Sequence, residues 1–137
     1  MKVGVCGTGR MGSAIAQRLM AVGHEVAVWN RDSAKTGALT DAGARLFASP
    51  AELVEGCEAT IVMLLNDAAT EAVYRAPKGI LSGKLAGKML IDMSTLRPDT
   101  MQSIGTPASV STFTKPRCAR PNAPPAPSAS PTVPPAT

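Results

Sequence analysis

Residues 2–22, KVGVCGTGRMGSAIAQRLMAV, decide the fold. Val3 to Cys6 is a short apolar run with strand character. Gly7, Gly9 and Gly12 follow in G-x-G-x-x-G spacing, and the chain continues as a helix with Met11, Ile15, Leu19 and Val22 expected along one stripe. Strand, glycine turn and helix in this order form the opening of a dinucleotide-binding unit, and each glycine has its own task. Gly7 permits the tight turn out of the strand, Gly9 lets backbone come close to a pyrophosphate, and Gly12 lets the helix pack on the strand. The first amides of the helix lack intrahelical partners and its dipole is positive there, so an anion is favoured at that end. Three glycines alone are a weak signal, and an ordinary strand–turn–helix with glycines for tightness is the alternative. The strand before and the helix after favour the nucleotide site.

The next informative place is the end of the second strand, Glu25 to Trp29. An NAD-specific site has an acidic residue there to bond the ribose 2′-hydroxyl. Here Asn30 stands in that position and Arg31 follows it. A guanidinium pairs with a 2′-phosphate, and the missing carboxylate removes the repulsion such a phosphate would meet. This reading favours NADP over NAD; the alternative is a solvated Arg31 beside an Asp32 or Ser33 that caps the next helix. His24, the sole histidine, lies at the wrong end of this strand for chemistry and reads as a turn residue.

The remaining pattern alternates helix and strand. A short helix is expected over 33–42 and a brief third strand at Arg45 to Phe47. Ser49-Pro50-Ala51-Glu52 then opens a helix with a capping serine, a proline at its first position and an acid that suits its dipole. Ala59 to Leu65 is nearly continuously apolar, as a parallel strand buried on both faces requires. Asp67 is expected to cap a helix from about Ala68 to Tyr74, and Lys88 to Asp92 to form the fifth strand. The turn Met93-Ser94-Thr95 follows, with Pro98 and Asp99 opening a further helix. Ser94 and Thr95 are placed on the same sheet edge as the glycine loop, or else one of them caps that helix. The alternation predicts an α/β, doubly wound parallel sheet.

Composition narrows the function further. Of 14 basic residues, Lys115, Arg117 and Arg120 fall beyond residue 105, where there is no acid, so most of the net charge of +4 belongs to the tail. No basic face and no basic–aromatic interleaving argue for nucleic acid. No apolar run approaches a membrane span and the glycine turn interrupts any signal-peptide core. Cys6, Cys57 and Cys118 are scattered without metal-site spacing, which suits a reducing cytoplasm and small apolar roles. Residues 106–137 hold nine of the twelve prolines among Ala, Ser and Thr. Such a segment buries too little surface to offset its ordering entropy, so a domain at 1–105 followed by a disordered tail with polyproline character is expected.

Five ordered motifs carry a family resemblance: GVCGTGRMGSAIAQRL (4–19), VWNR (28–31), GA-x-x-x-x-SPAE (43–52), IVMLLND (61–67) and IDMST-x-x-P (91–98). Residues 1 to about 103 resemble the N-terminal, Rossmann-type domain of the β-hydroxyacid dehydrogenases. That group includes 3-hydroxyisobutyrate dehydrogenase, glyoxylate/succinic semialdehyde reductase and, more distantly, 6-phosphogluconate dehydrogenase. The resemblance implies a loop from Gly7 to Gly12, with Thr8, Arg10 and Met11, around the pyrophosphate, and Asn30 and Arg31 at the adenosine ribose and its phosphate. It implies Met63, Leu64 and Leu65 under the cofactor, Thr95 at the nicotinamide half and Ser94 bordering a substrate. The implied reaction is reversible hydride transfer between NADP(H), less readily NAD(H), and a small 3-hydroxyacid or aldehyde acid.

The family's next strand, glycine-rich substrate loop, helical domain and catalytic lysine have no counterpart in this sequence. Lys115 stands in Thr-Lys-Pro and is not assigned that role. The expectation is therefore a truncated cofactor domain, with its sheet incomplete at the C-terminal end and an apolar edge uncovered, marginally stable and inactive alone. The tail has the composition that out-of-frame reading of a GC-rich gene gives. A small hydroxyacid becomes a substrate only if a catalytic domain is supplied. The other readings are a non-catalytic nucleotide-binding module whose P-x-x-P tail engages an SH3-like partner, and an enzyme completed by a separately encoded helical domain.

Overall fold

The apolar runs become five parallel strands in a single sheet. The computed structural model describes residues 1–105, and the proline-rich tail with Lys115 and Cys118 lies outside them. In chain order the elements are β1 (Lys2–Cys6), α1 (Arg10–Ala21), β2 (Glu25–Trp29), a 3-10 turn (Ser33–Thr36), α2 (Gly37–Asp41), β3 (Arg45–Leu46) and α3 (Pro50–Gly56). Then come β4 (Ala59–Val62), α4 (Asp67–Arg75), a second 3-10 turn (Ile80–Ser82), β5 (Met89–Asp92) and α5 (Pro98–Gly105). The spatial order is β3-β2-β1-β4-β5. The chain winds outward from β1 to β3, returns to the other side of β1 and winds outward again, so the order reverses between β1 and β4. In open α/β sheets, ligands bind at such a switch point, beyond the carboxyl ends of the strands.

Side chains alternate between two helical layers because successive strand residues point to opposite faces. Val5, Val26 and Val28 pack with Ala16 of α1 and Leu39 of α2. Cys6, Ala27, Val62 and Leu90 face the other layer, with Leu53 and Val54 of α3, Tyr74 of α4 and Ile104 of α5. Each fully buried valine contributes about 1.5–3 kcal/mol. The exposed Lys2–Glu25 ion pair, at 3.8 Å, contributes at most about 1 kcal/mol, so the valines and not surface charge hold the strands. Among the described residues β5 is an edge strand, and Met89 with the adjoining Met93 is exposed there. No helix among the described residues is long and apolar enough to cross a membrane.

Several local expectations shift. Met11 and Val22 are exposed, and the buried stripe of α1 is Gly12 and Ala16, flanked by half-buried Ile15, Leu19 and Met20. The small residues win because α1 lies close against β1, where only Gly and Ala fit. β3 ends at Leu46 and β4 at Val62, three residues earlier than the apolar run suggested. Ser49 caps α3 as expected, its hydroxyl accepting from Glu52 N at 3.3 Å. Asp67, however, does not cap α4. Asn66 does, with Oδ1 accepting from Ala69 N at 2.9 Å. Asp67 instead accepts from Arg97 N at 3.0 Å and so ties the start of α4 to the start of α5.

Two predictions follow from these contacts. A Cβ on Gly12 runs into the carbonyl oxygen of Gly7, so Gly12→Ala should cost about 2 kcal/mol or more in urea unfolding. The Arg97 amide, with help from the Thr100 hydroxyl, holds the Asp67 carboxyl below its usual value of 3.8. The ionised form is thus favoured by folding; its contribution is complete above that usual value and is lost as pH falls through the lower folded one. Melting temperature should therefore drop more steeply below about pH 4 in the wild type than in Asp67→Asn.

Candidate functional site: a cleft at the strand ends

α1 begins without a side-chain cap. Gly9 occupies the N-cap position, and no acidic residue stands in the first turn. The orphan amides of a helix start need partners, and here they open onto a cleft of about 530 Å³ at the carboxyl ends of β1, β2 and β4. Gly7 turns the chain at φ +98°, and its amide extends the β1–β2 ladder by donating to Trp29 O at 2.8 Å. A Cβ there would strike the Met63 carbonyl. A Cβ on Gly9, by contrast, would meet no protein atom within 4 Å. The fold itself thus requires glycine at 7 and 12 but not at 9.

The walls of the cleft differ in character. On one side stand Gly7, Gly9, Arg10 and Met11 of the glycine loop, with Trp29, Asn30, Arg31, Asp32 and Lys35 from the end of β2. Arg10, Arg31 and Lys35 are exposed and make no ion pair among the described residues. Asp32 uses its carboxylate to cap the 3-10 turn, accepting from Ala34 N at 3.2 Å. The opposite wall is apolar: Met63, Leu64 and Leu65 of the loop after β4, and Ala69, Ala72 and Val73 of α4. Leu65 is 90% exposed and Met11 61%. Large apolar side chains this open, beside unpaired cations, describe a surface suited to an amphipathic anion.

Asn30 has a second employment. Its Oδ1 accepts from Thr8 N at 3.3 Å while its Nδ2 donates to Asp32 O at 2.9 Å. The side chain thereby links the glycine loop to the turn that carries Arg31 and Lys35. A carboxylate at this position has no hydrogen to offer Asp32 O. Thr8 and Gly12 are buried and hold the loop from behind. Ser13 Oγ donates to Thr8 O at 3.0 Å, and Thr8 Oγ1 makes a long contact to Lys35 O at 3.5 Å.

Residues 2–113 match the sequence family described as the NAD binding domain of 6-phosphogluconate dehydrogenase. The chain belongs to this family. The match runs past residue 105, where the sequence suggested a boundary. Curated relatives include the human (Homo sapiens) cytokine-like nuclear factor N-PAC, 39% identical over 103 residues that make up 75% of this chain and 19% of that protein. Another is glyoxylate/succinic semialdehyde reductase 1 of Arabidopsis thaliana, 39% identical over 104 residues, 76% of this chain and 36% of the reductase. Among solved structures, the reductive aminase of Aspergillus terreus in complex with NADPH and ethyl levulinate is similar at a TM-score of 0.65 and 30% identity. That similarity covers 77% of this chain and 35% of the aminase. The chain thus spans about a fifth of N-PAC and about a third of the two enzymes. It is an NAD(P)-binding domain of the hydroxyacid dehydrogenase and reductase type.

Within this family domain, the structure gathers most of the residues singled out in the sequence around one cleft. Thr8 and Gly12 stand behind the lining, and Thr95 is exposed on the turn after β5. Ser94 caps no helix: its Oγ accepts from Leu64 N at 2.9 Å. Sequence reasoning passed over Trp29, Asp32, Lys35, Ala69, Ala72 and Val73. Two signals were available. Residues 69, 72 and 73 repeat at the spacing that puts small side chains on one helix face, and Lys35 follows Asp32 by the three residues that a 3-10 turn brings to one side.

Neither of the two described cysteines lines the cleft. Cys6 and Cys57 are buried free thiols. Burial, with a smaller push from the Asp92 charge, raises the Cys6 thiol to about 12. The thiolate is the reactive form, so iodoacetamide at neutral pH should leave Cys6 unlabelled in the folded chain and modify it only after denaturation, as read by peptide mass mapping.

Proposed function

We propose that the cleft binds NADP(H) in preference to NAD(H) and that the chain is the cofactor-holding part of a hydride-transfer oxidoreductase. The observation that carries this reading is Gly9, a glycine that the protein's own packing leaves free to be any small residue, at the uncapped start of α1. Its lack of a side chain is explained by a ligand that comes within contact distance of that backbone. The pyrophosphate lies against the amides of Gly9, Arg10 and Met11. Arg31 and Lys35 take the 2′-phosphate, and Asn30 keeps their turn in register with the glycine loop. Met63, Leu64 and Leu65 support the nicotinamide half, with Thr95 beyond it. The NADPH in the related aminase agrees with this cofactor choice.

When bound, the dinucleotide supplies a hydride at nicotinamide C4 for a carbonyl carbon of a small aldehyde acid, or accepts one from a 3-hydroxyacid. The chain's residues bind and orient. All of the titratable residues that line the cleft are on the glycine-loop and β2 side, so none stands on the apolar wall to move a proton at a substrate oxygen. General acid–base assistance, typically about 10²–10⁴ in rate, comes in this reading from a catalytic domain beyond the described residues. Residues 1–105 act as the folded unit.

Trp29 is the only tryptophan and lines the cleft, so its emission reports occupancy. NADPH should quench it at concentrations about tenfold or more below those NADH requires. Arg31→Ala and Lys35→Ala should each weaken NADPH by about tenfold and leave NADH nearly unchanged. Gly9→Ala should weaken both dinucleotides while shifting unfolding stability by less than about 1 kcal/mol. Equal affinity of the wild type for the two, or indifference to both, contradicts the proposal.

A further inference from the structure

One group of hydrogen bonds joins the core to the apolar wall of the cleft. Tyr74 of α4 is fully buried, and its hydroxyl donates to Asp92 Oδ2 at 2.8 Å. The other oxygen of the same carboxylate, Oδ1, accepts from Ser94 N at 2.8 Å. That bond closes the turn after β5 as an Asx turn, and the turn delivers Ser94 Oγ to Leu64 N at 2.9 Å. On its other side the loop after β4 is held by Met63 N, which donates to Cys6 O at 2.9 Å, and at its end by the Asn66 cap of α4. Leu64 N–H, midway between these anchors, is fixed by Ser94.

We infer that Ser94 is a positioning residue for the loop from Met63 to Asn66, held in place by Tyr74 and Asp92, and that it serves dinucleotide binding through Leu64 rather than by touching a substrate. The inference rests on the reading of the cleft given above. Burial, then the Asp92 charge and hydrogen bond, push the Tyr74 phenol well above its usual range, so it stays a donor throughout the working pH range. An aromatic ring locked in the core orients the carboxylate, the carboxylate shapes the turn, and the turn presents the hydroxyl. Tyr74 adjoins Val73, which lines the cleft, so the latch ties the loop to the helix that completes the same wall. Without the hydroxyl, the Leu64 amide has no fixed partner and the wall must be ordered when ligand binds.

The test uses the full chain with two readouts: NADPH affinity from Trp29 emission, and hydrogen exchange at the Leu64 amide by NMR without nucleotide. Ser94→Ala should accelerate Leu64 exchange and raise the NADPH dissociation constant about 3- to 10-fold, while Ser94→Thr, which keeps the acceptor, should restore both. Tyr74→Phe should weaken NADPH in the wild-type background and add nothing in Ser94→Ala, because it acts through Ser94. Unchanged Leu64 exchange in Ser94→Ala overturns the latch. Unchanged NADPH affinity, or an equal Tyr74→Phe effect in both backgrounds, overturns its contribution to binding. A wild type that ignores NADPH while Leu64 exchange responds as expected overturns the reading of the cleft and leaves the latch standing.

Discussion

The close approach of Gly12 to the carbonyl of Gly7 governs the functional half of this molecule. With no side chain at position 12, the first turn of α1 settles against the end of β1. Its free amides are thereby brought to the point where the sheet order reverses. Any Cβ there would force the helix away from the strand, and the mouth of the cleft would lose its positive end. The left-handed turn at Gly7 and its tight fit under the Met63 carbonyl fix the same geometry from the β4 side. Two glycines thus serve the architecture, and the third, Gly9, stands at an open position that the architecture does not need.

Division of labour across the cleft follows from the strand order. β2 lies on one side of β1 and β4 on the other, so the turn after β2 and the loop after β4 face each other across the glycine loop. The first carries cations and the second carries apolar side chains. A ligand with phosphate at one end and a largely uncharged ring system at the other matches that polarity. Asn30 and Ser94 play parallel parts on the two sides. Each is a small polar residue whose side chain is engaged within the protein and holds a wall in place.

The sheet, its parallel sense and the cleft's location were legible in the sequence because they depend on apolar runs and on glycine spacing, both local patterns. The cap of α4 was misread by one residue: Asn66 and Asp67 are both good N-caps, and only the position of Arg97, far along the chain, draws Asp67 away to the start of α5. The stripe of α1 holds at Ile15 and Leu19 and fails at Met11 and Val22, because periodicity favours bulky apolar residues whereas the close strand contact selects Gly12 and Ala16. The strand end places Ser94 on the glycine-loop edge, and the family resemblance implies that it borders a substrate. Its partner, Leu64 N, is thirty residues away, and no spacing rule reveals a bond of that kind. Tyr74 likewise reads as plain core until its hydroxyl is seen on Asp92.

The central claim is that a phosphorylated dinucleotide occupies the space between the two walls. Amide chemical shifts of the isotopically labelled full chain, recorded as NADP⁺ is added, test it most directly. The account predicts saturable shifts concentrated at Gly9, Arg10, Met11, Arg31, Lys35 and Leu64, with Glu25 and His24 at the far end of the sheet unmoved. Shifts confined to that far end, or a spectrum indifferent to the nucleotide, would contradict it.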